Sequence, residues 1–297
     1  MHNTSKQPKI IVVGSSSVDL VLNTKTHPEP GQTVLAYNSE YFFGGKGANQ
    51  AVGTARLGAD VTFIGCVGKD LKGQQILDNL KKEGVNVSHV VETTEAATGS
   101  AYVSASEGKN AIVVVPAANH LLKPSDIEAA EKEFESADLV LIQLEIPMEV
   151  VEATVKLAQK HNLKLGIYAA PGQTLPLETL KYASFIVAKS VDLPVIFANC
   201  KEKNLIKAFA NVLFVRDDSN STTFFNGSEM RYLRNDHDEI LHKMGMGDAF
   251  TSGFALAFCE GKSTEDCVIF GNNVSLKVAI NRGSQAGLPF LKDLQSQ

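Results

Sequence analysis

The stretch LVLIQLEIPMEVVEATVKLAQKHNLKLGIY, residues 139–168, decides the fold class. Its opening residues, Leu139-Val140-Leu141-Ile142, form an apolar run of strand length. Val150, Val151, Val155 and Ala158 then recur at helical spacing, and a second strand-like run, Leu163 to Tyr168, follows. A strand apolar on both sides needs cover on both faces, and the succession strand, helix, strand builds a parallel sheet. The same alternation extends outward. Ile10-Ile11-Val12-Val13, Val61-Thr62-Phe63-Ile64, Phe185-Ile186-Val187 and Val212 to Val215 read as strands. Ala48, Ala51, Val52 and Ala55 read as a helix that stops at Gly58. Two helical patterns close the chain, one through Ala249, Phe250, Phe254 and Phe258 and one through Cys267, Gly271, Val274 and Val278. The class is α/β, with helices on both faces of the sheet.

One region breaks the alternation. Val18 to Leu22, Gln32 to Phe43, Thr98 to Ser106 and Asn110 to Val115 read as strands with no helices between them, and Glu107-Gly108-Lys109 as a turn. They predict a small inserted sheet, a β lid on a single 1–297 domain, built from segments near 18–24, 32–43 and 98–115.

Composition excludes several classes of function. The 28 Lys and Arg residues against 33 Asp and Glu give a net charge of −5, with no basic run longer than Lys81-Lys82, so neither nucleic acid nor an anionic membrane is an expected partner. The polar N-terminus and the short apolar run after it do not fit a signal peptide, and nowhere do 18 apolar residues succeed one another; a cytoplasmic protein is expected. Cys66, Cys200, Cys259 and Cys267 form no C-x-x-C pair and are read as reduced thiols. His237 and His242, five apart, miss the i, i+4 spacing of a zinc helix, and no G-x-S-x-G occurs.

Two glycine clusters carry the chemistry: Gly44-Gly45-Lys46-Gly47-Ala48-Asn49 and Gly245-Met246-Gly247-Asp248, each leading into a helical pattern. Helix N-termini present unpaired N–H groups and partial positive charge, which suits anions. A single such cluster is more commonly a turn that starts a helix, and neither matches a dinucleotide fingerprint or a P-loop. Asp248 falls in the first turn of its helix beside the Gly245, Met246 and Gly247 amides. A carboxylate there stays ionised and is placed to take a proton from a hydroxyl while the amides hold charge on a transferring phosphoryl group; it also simply complements the helix dipole. Asp19 and Glu145 follow strands, where open α/β sheets place ligand groups.

In this order, Gly14 to Asp19, the G-G-K-G-A-N run, Glu145 and Gly245-Met246-Gly247-Asp248 resemble the ribokinase branch of the PfkB carbohydrate-kinase family. The resemblance spans nearly the whole chain, through Arg56-Leu57-Gly58-Ala59, Thr98-Gly99, Ala117-Ala118-Asn119 and Arg282-Gly283-Ser284-Gln285. It implies a Rossmann-type sheet with a β lid that forms a homodimer. It also implies ATP-dependent phosphorylation, with Mg²⁺, of a primary hydroxyl of a pentose, ribose before any other. Asp19, Gly45, Lys46, Asn49 and Glu145 match positions that hold the sugar, with Ser17 standing where the family has Asn. Asp248 matches the catalytic base, and Gly245, Met246 and Gly247 match the anion hole, Met246 replacing a smaller Ala.

The departures cluster on the nucleotide side. Lys189-Ser190-Val191-Asp192 stands for N-x-x-E, leaving Asp192 to place magnesium through water. Val215-Arg216-Asp217 stands for T-x-G, and Asp217-Asp218 puts negative charge where phosphates are expected. Asn272 matches a further nucleotide position. His242-Lys243 replaces an Asp-Thr pair, which argues against activation by a monovalent cation, with Lys243 as a candidate electrostatic substitute. Two further readings stay open: a kinase for another sugar or a nucleoside, and a sugar-binding homologue with little or no catalysis.

Overall fold

The computed structural model describes residues 7–106, 109–217, 219–234, 244–280 and 283–294. His237, His242, Lys243, Asp218, Arg282 and the Glu107-Gly108 turn lie outside them. The strands are β1 (Lys9–Val13), β2 (Ser17–Thr24), β3 (Ala36–Gly44), β4 (Asp60–Gly68), β5 (Asn86–Thr93), β6 (Ser100–Ser106), β7 (Lys109–Val115), β8 (Leu139–Gln143), β9 (Lys164–Tyr168), β10 (Phe185–Lys189), β11 (Leu213–Arg216), β12 (Thr222–Phe225) and β13 (Met230–Leu233). The helices are α1 (Lys46–Arg56), α2 (Leu71–Lys82), α3 (Pro124–Ala129), α4 (Glu131–Phe134), α5 (Met148–Lys160), α6 (Leu177–Tyr182), α7 (Leu193–Ile196), α8 (Leu205–Ala208), α9 (Met246–Cys259), α10 (Thr264–Ala279) and α11 (Leu291–Leu294).

The larger sheet runs β13-β12-β11-β10-β9-β8-β1-β4-β5. It is parallel from β5 to β11 and antiparallel across β12 and β13. Successive side chains of a strand point to opposite faces, and the apolar runs divide accordingly. Ile10, Val12, Leu139 and Leu141 pack with α1, α2, α9 and α10, whereas Ile11, Val13, Val140 and Ile142 pack with α3 to α7. Each face therefore has its own core, as the uninterrupted apolar strands require. Cys66 and Cys267 are buried and all four cysteines are free thiols.

The order reverses at β1, which has β4 on one side and β8 on the other. Chains leave the carboxyl ends of these strands in opposite directions there and open a crevice, the usual ligand position of an open α/β sheet.

The helix-free region is a separate four-stranded sheet, β3-β2-β6-β7. Two of its strands start later than the sequence suggests: β3 begins at Ala36 rather than Gln32, and β6 begins at Ser100 rather than Thr98. Register gives the sheet two distinct faces. Phe42, Asp19, Ala101 and Val114 form one cross-strand row, and Tyr41, Leu20, Tyr102 and Val113 form the next, on the opposite side. The first row faces the crevice, where Asp19, Ala101 and Val114 line it. In the second, Tyr41, Tyr102 and Val113 are 68%, 44% and 66% exposed.

Candidate active site

The crevice is a cleft of about 1140 Å³ along the carboxyl ends of β1, β8, β9, β10 and β11, walled on one side by the small sheet. Both glycine clusters open into it. Gly45 is the N-cap of α1 and Gly245 the N-cap of α9, the latter at φ 77°, a left-handed conformation that favours glycine. The structure brings Ser17, Asp19, Gly45, Lys46, Asn49, Glu145, Gly245, Met246, Gly247 and Asp248 together on the lining of this one cleft.

The two helix N-termini differ. At α1 an anion is already present: Glu145 Oε2 accepts from the Lys46 amide at 3.1 Å and from Ser15 Oγ at 2.5 Å, while its Oε1 is 3.4 Å from Lys46 Nζ. At α9 the anion is Asp248, in the first turn and buried. Its Oδ2 accepts from Asn49 Nδ2 at 2.9 Å and its Oδ1 from Gln50 Nε2 at 3.2 Å; Gln143 Nε2 in turn donates to Gln50 Oε1 at 2.7 Å. Donors to both oxygens fix the carboxylate plane. Two buried acceptors, Asn49 Oδ1 and Gln143 Oε1, have no hydrogen-bond partner among the described residues. Asn49 lines the cleft, so its free oxygen is placed for a donor such as a ligand hydroxyl.

Burial sets the protonation of these groups. It pushes the Asp248 carboxyl up to about 6, against the lowering effects of Lys46, Asn49 and Gln50. Burial likewise raises Asp19 to about 6, opposed by the 2.6 Å hydrogen bond from Ser17 Oγ and reinforced by Glu145. Asp248 is ionised at neutral pH, as its position in a first turn suggests, but by a narrower margin than an exposed carboxylate. Burial pulls the Lys46 ammonium down, yet Glu145, Asp248 and Tyr168 more than offset this and hold it firmly charged. A charged ammonium and two carboxylates that titrate near the working range are the parts of a site that binds a polar ligand and moves a proton.

Two lining residues were not singled out from sequence. Tyr168, at the end of β9, is buried, and its hydroxyl lies where a Cβ on Gly247 would have to be. Burial pushes that phenol up to about 12, so it is neutral. Arg216 ends β11 with its side chain turned inward. The nucleotide-side candidates do not all converge. Lys189, Asp192 and Asp217 line the cleft, whereas Val215 is packed in the core on the α3-to-α7 face and Asn272 accepts a hydrogen bond from Arg216. Asp217 turns its carboxylate onto its own loop, accepting from Ser219 Oγ at 2.7 Å, the Ser221 amide at 2.9 Å and Tyr232 Oη at 3.2 Å. Met246 is buried with Phe250 in the apolar core.

The site is a cleft at the switch point with a buried carboxylate in the first turn of α9, and comparison with known proteins gives its family. Residues 7–291 match the family model described as pfkB family carbohydrate kinase. The chain belongs to that family and is a carbohydrate kinase by descent and fold. It is 34% identical over 286 residues to the ribokinase of Bacillus subtilis, covering 96% of this chain and 98% of the relative. It is 30% identical to the ribokinase of Lactococcus lactis, covering 97% and 96%. Among solved structures, the ribokinase of Arabidopsis thaliana complexed with ribose and ATP superposes with a TM-score of 0.83 at 26% identity, over 98% of each chain. A ribokinase from Thermotoga maritima superposes at 0.84, again at 26% identity, over 98% and 99%.

Proposed function

We propose that the chain is an ATP-dependent ribokinase that transfers the γ-phosphoryl group of ATP to a primary hydroxyl of D-ribose. The observation that carries this reading is the junction of α1 and α9: Asp248, held by Asn49 and Gln50, sits beside the Gly245-to-Gly247 amides in the same cleft as Asp19, Lys46 and Glu145. The relatives named above support the choice of ribose and ATP.

Asp19, Lys46, Glu145 and Asn49, the last through its unpaired Oδ1, orient the sugar. Asp248 takes the proton of the attacking hydroxyl as that oxygen bonds to the γ-phosphorus and the bond to the β–γ bridging oxygen breaks, releasing ADP. The amides at the start of α9 hold charge on the transferring group. Lys189 and Asp192 lie along the donor side. Among the described residues no cluster of three or more His, Cys, Asp or Glu is placed to hold a metal ion. The single carboxylate of Asp192 on the lining would suit magnesium that arrives on the nucleotide, and such an ion would neutralise phosphate charge.

The small sheet serves as a lid that excludes water from the cleft. Its outer row of Tyr41, Tyr102 and Val113 supports a homodimer interface there, since contiguous exposed apolar side chains of this kind are usually covered by a partner. No described helix is long and apolar enough to cross a membrane, and we place the protein in the cytoplasm.

The test is ADP release from Mg-ATP with ribose, with other pentoses and with no sugar, beside Asp248→Asn. Ribose-dependent release abolished in the variant is expected. No release above the variant, with ribose still raising the melting temperature, would leave only a sugar-binding protein.

A further inference from the structure

Arg216 is 4% exposed and lies on the wall of the cleft. Its Nη1 donates to Thr222 Oγ1 at 2.8 Å and Asn272 Oδ1 at 2.9 Å; its Nη2 donates to the Asn220 carbonyl at 2.9 Å, to Asn220 Oδ1 and to Ser275 Oγ at 3.5 Å. The guanidinium carbon is 4.0 Å from the centre of the Phe250 ring. Each of these partners is neutral. Among the described residues Arg216 makes no ion pair, and the adjacent Asp217 is engaged by its own loop. Buried charges are ordinarily paired with an opposite charge, because dipoles alone compensate desolvation only in part. Burial lowers the guanidinium to about 9, which leaves it charged at neutral pH.

Its position suggests which anion completes the pair. Arg216 is register-paired with Lys189 at the carboxyl ends of adjacent parallel strands, so two cations stand side by side on the cleft. Ser275, which Arg216 touches, donates to the Met246 carbonyl at 2.9 Å and ties this cluster to the first turn of α9. Two cations and the N-terminus of α9 therefore lie along one wall, interspersed with the carboxylates Asp192, Asp217 and Asp248.

We infer that Arg216 is the resident cation of the phosphoryl-donor side, the buried charge against which the phosphate chain of a nucleotide binds. The inference rests on the kinase reading above. Asp217 is held ionised by its hydrogen bonds and helps keep the guanidinium charged, but it makes no ion pair with Arg216, its carboxylate being turned onto Ser219, Ser221 and Tyr232. The charge acts through a low-dielectric wall, where its field is strong without direct contact. Sugar affinity should not depend on it.

The experiment titrates ADP with Mg²⁺, and separately ribose, into the wild-type protein and into Arg216→Gln, Arg216→Lys and Asn272→Asp. Arg216→Gln is expected to bind ADP at least tenfold more weakly with ribose affinity within twofold, and Arg216→Lys to recover most of the loss. Asn272→Asp supplies Arg216 with a carboxylate in place, so it should weaken ADP comparably without lowering the melting temperature; it decides the matter should Arg216→Gln fail to fold. Wild-type ADP affinity in a folded Arg216→Gln or in Asn272→Asp would overturn the inference and make Arg216 a structural pin. A wild-type protein that binds ribose but no ADP would overturn the kinase reading itself, a distinct result.

Discussion

Asn49 Nδ2 on α1 donates to Asp248 Oδ2 on α9 across 2.9 Å, joining positions 199 residues apart. Through this bond the two glycine clusters become one device: under the function proposed above, the residue that would hold the sugar also fixes the plane of the carboxylate that would act as base. A sugar hydroxyl that bonds to Asn49 is thereby registered against Asp248, which is the kind of positioning that lowers a barrier most effectively.

Asp248→Asn should separate activity from stability. Turnover is expected to fall by about 10²–10⁴-fold through loss of the base. Stability at pH 7 should rise by up to roughly 3 kcal/mol, because the folded protein no longer holds an ionised carboxylate that burial opposes. The gain should shrink as pH falls through 6, where the folded wild-type carboxyl takes up its proton, and disappear below 3.8, where the unfolded chain is protonated as well. Chemical denaturation of both proteins at several pH values checks this; an equal difference at pH 4 and pH 7 would refute it.

The pH profile of kcat/KM should fall on the acid side with a midpoint at about 6, since burial raises both Asp19 and Asp248 to that value. Two carboxyls titrating together give a limb steeper than one proton. Asp19→Asn should weaken ribose binding and reduce the limb to a single proton. The sign for stability is opposite: between 3.8 and 6 the folded chain binds more protons than the unfolded chain, so these two groups make stability decline as pH rises through that window.

Gly247→Ala should damage both chemistry and fold. A Cβ there meets the Tyr168 hydroxyl and lies 2.6 Å from its Cζ, so α9 or β9 must move. Displacing the anion-hole amide is expected to cost about 10²–10³-fold in kcat, and overpacking about 1–3 kcal/mol of stability. Removing the obstruction tests the cause: Gly247→Ala with Tyr168→Ala should be less destabilised than the two single losses added together. Simple additivity in denaturant melts would refute the clash.

Val113→Asp tests the outer face of the small sheet. Val113 is 66% exposed and shares its cross-strand row with Tyr102, Leu20 and Tyr41. Sedimentation should show twice the chain mass for the wild-type protein and a single chain for the variant at micromolar concentration. A monomeric wild type, or a variant that stays dimeric, would show the interface is elsewhere.

The main sheet was legible because its strands are covered twice. Runs such as Leu139 to Ile142 must be apolar at every position, and no surface requirement dilutes that signal. Strands at the edges were not legible. β5 (NVSHVVET) is only partly covered and carries polar residues throughout, and β12 and β13 are four residues each in an antiparallel hairpin after a polar loop. Helix α2 was missed although Asp70 announces it, its carboxylate accepting from the Gly73 amide. At the site, the glycine clusters and Asp248 are local signals and can be read in order along the chain. Gln143, Gln50, Tyr168 and Arg216 carry no local signature; their roles exist only once β8, α1, β9 and β11 are brought against α9, and the resemblance to other kinases carried no hint of an arginine at position 216.

The filled N-terminus of α1 makes the cleft polar end to end. Glu145 already occupies the Lys46 amide and ammonium, so no donor of that helix start is left for a phosphate, while Arg216 and Lys189 stand on the wall beyond the start of α9. A neutral pentose can rest against either end, but once it carries a phosphate it has only one comfortable heading. The discrimination therefore operates only after transfer: the phosphate of the product is repelled by Glu145 and held toward Arg216 and Lys189.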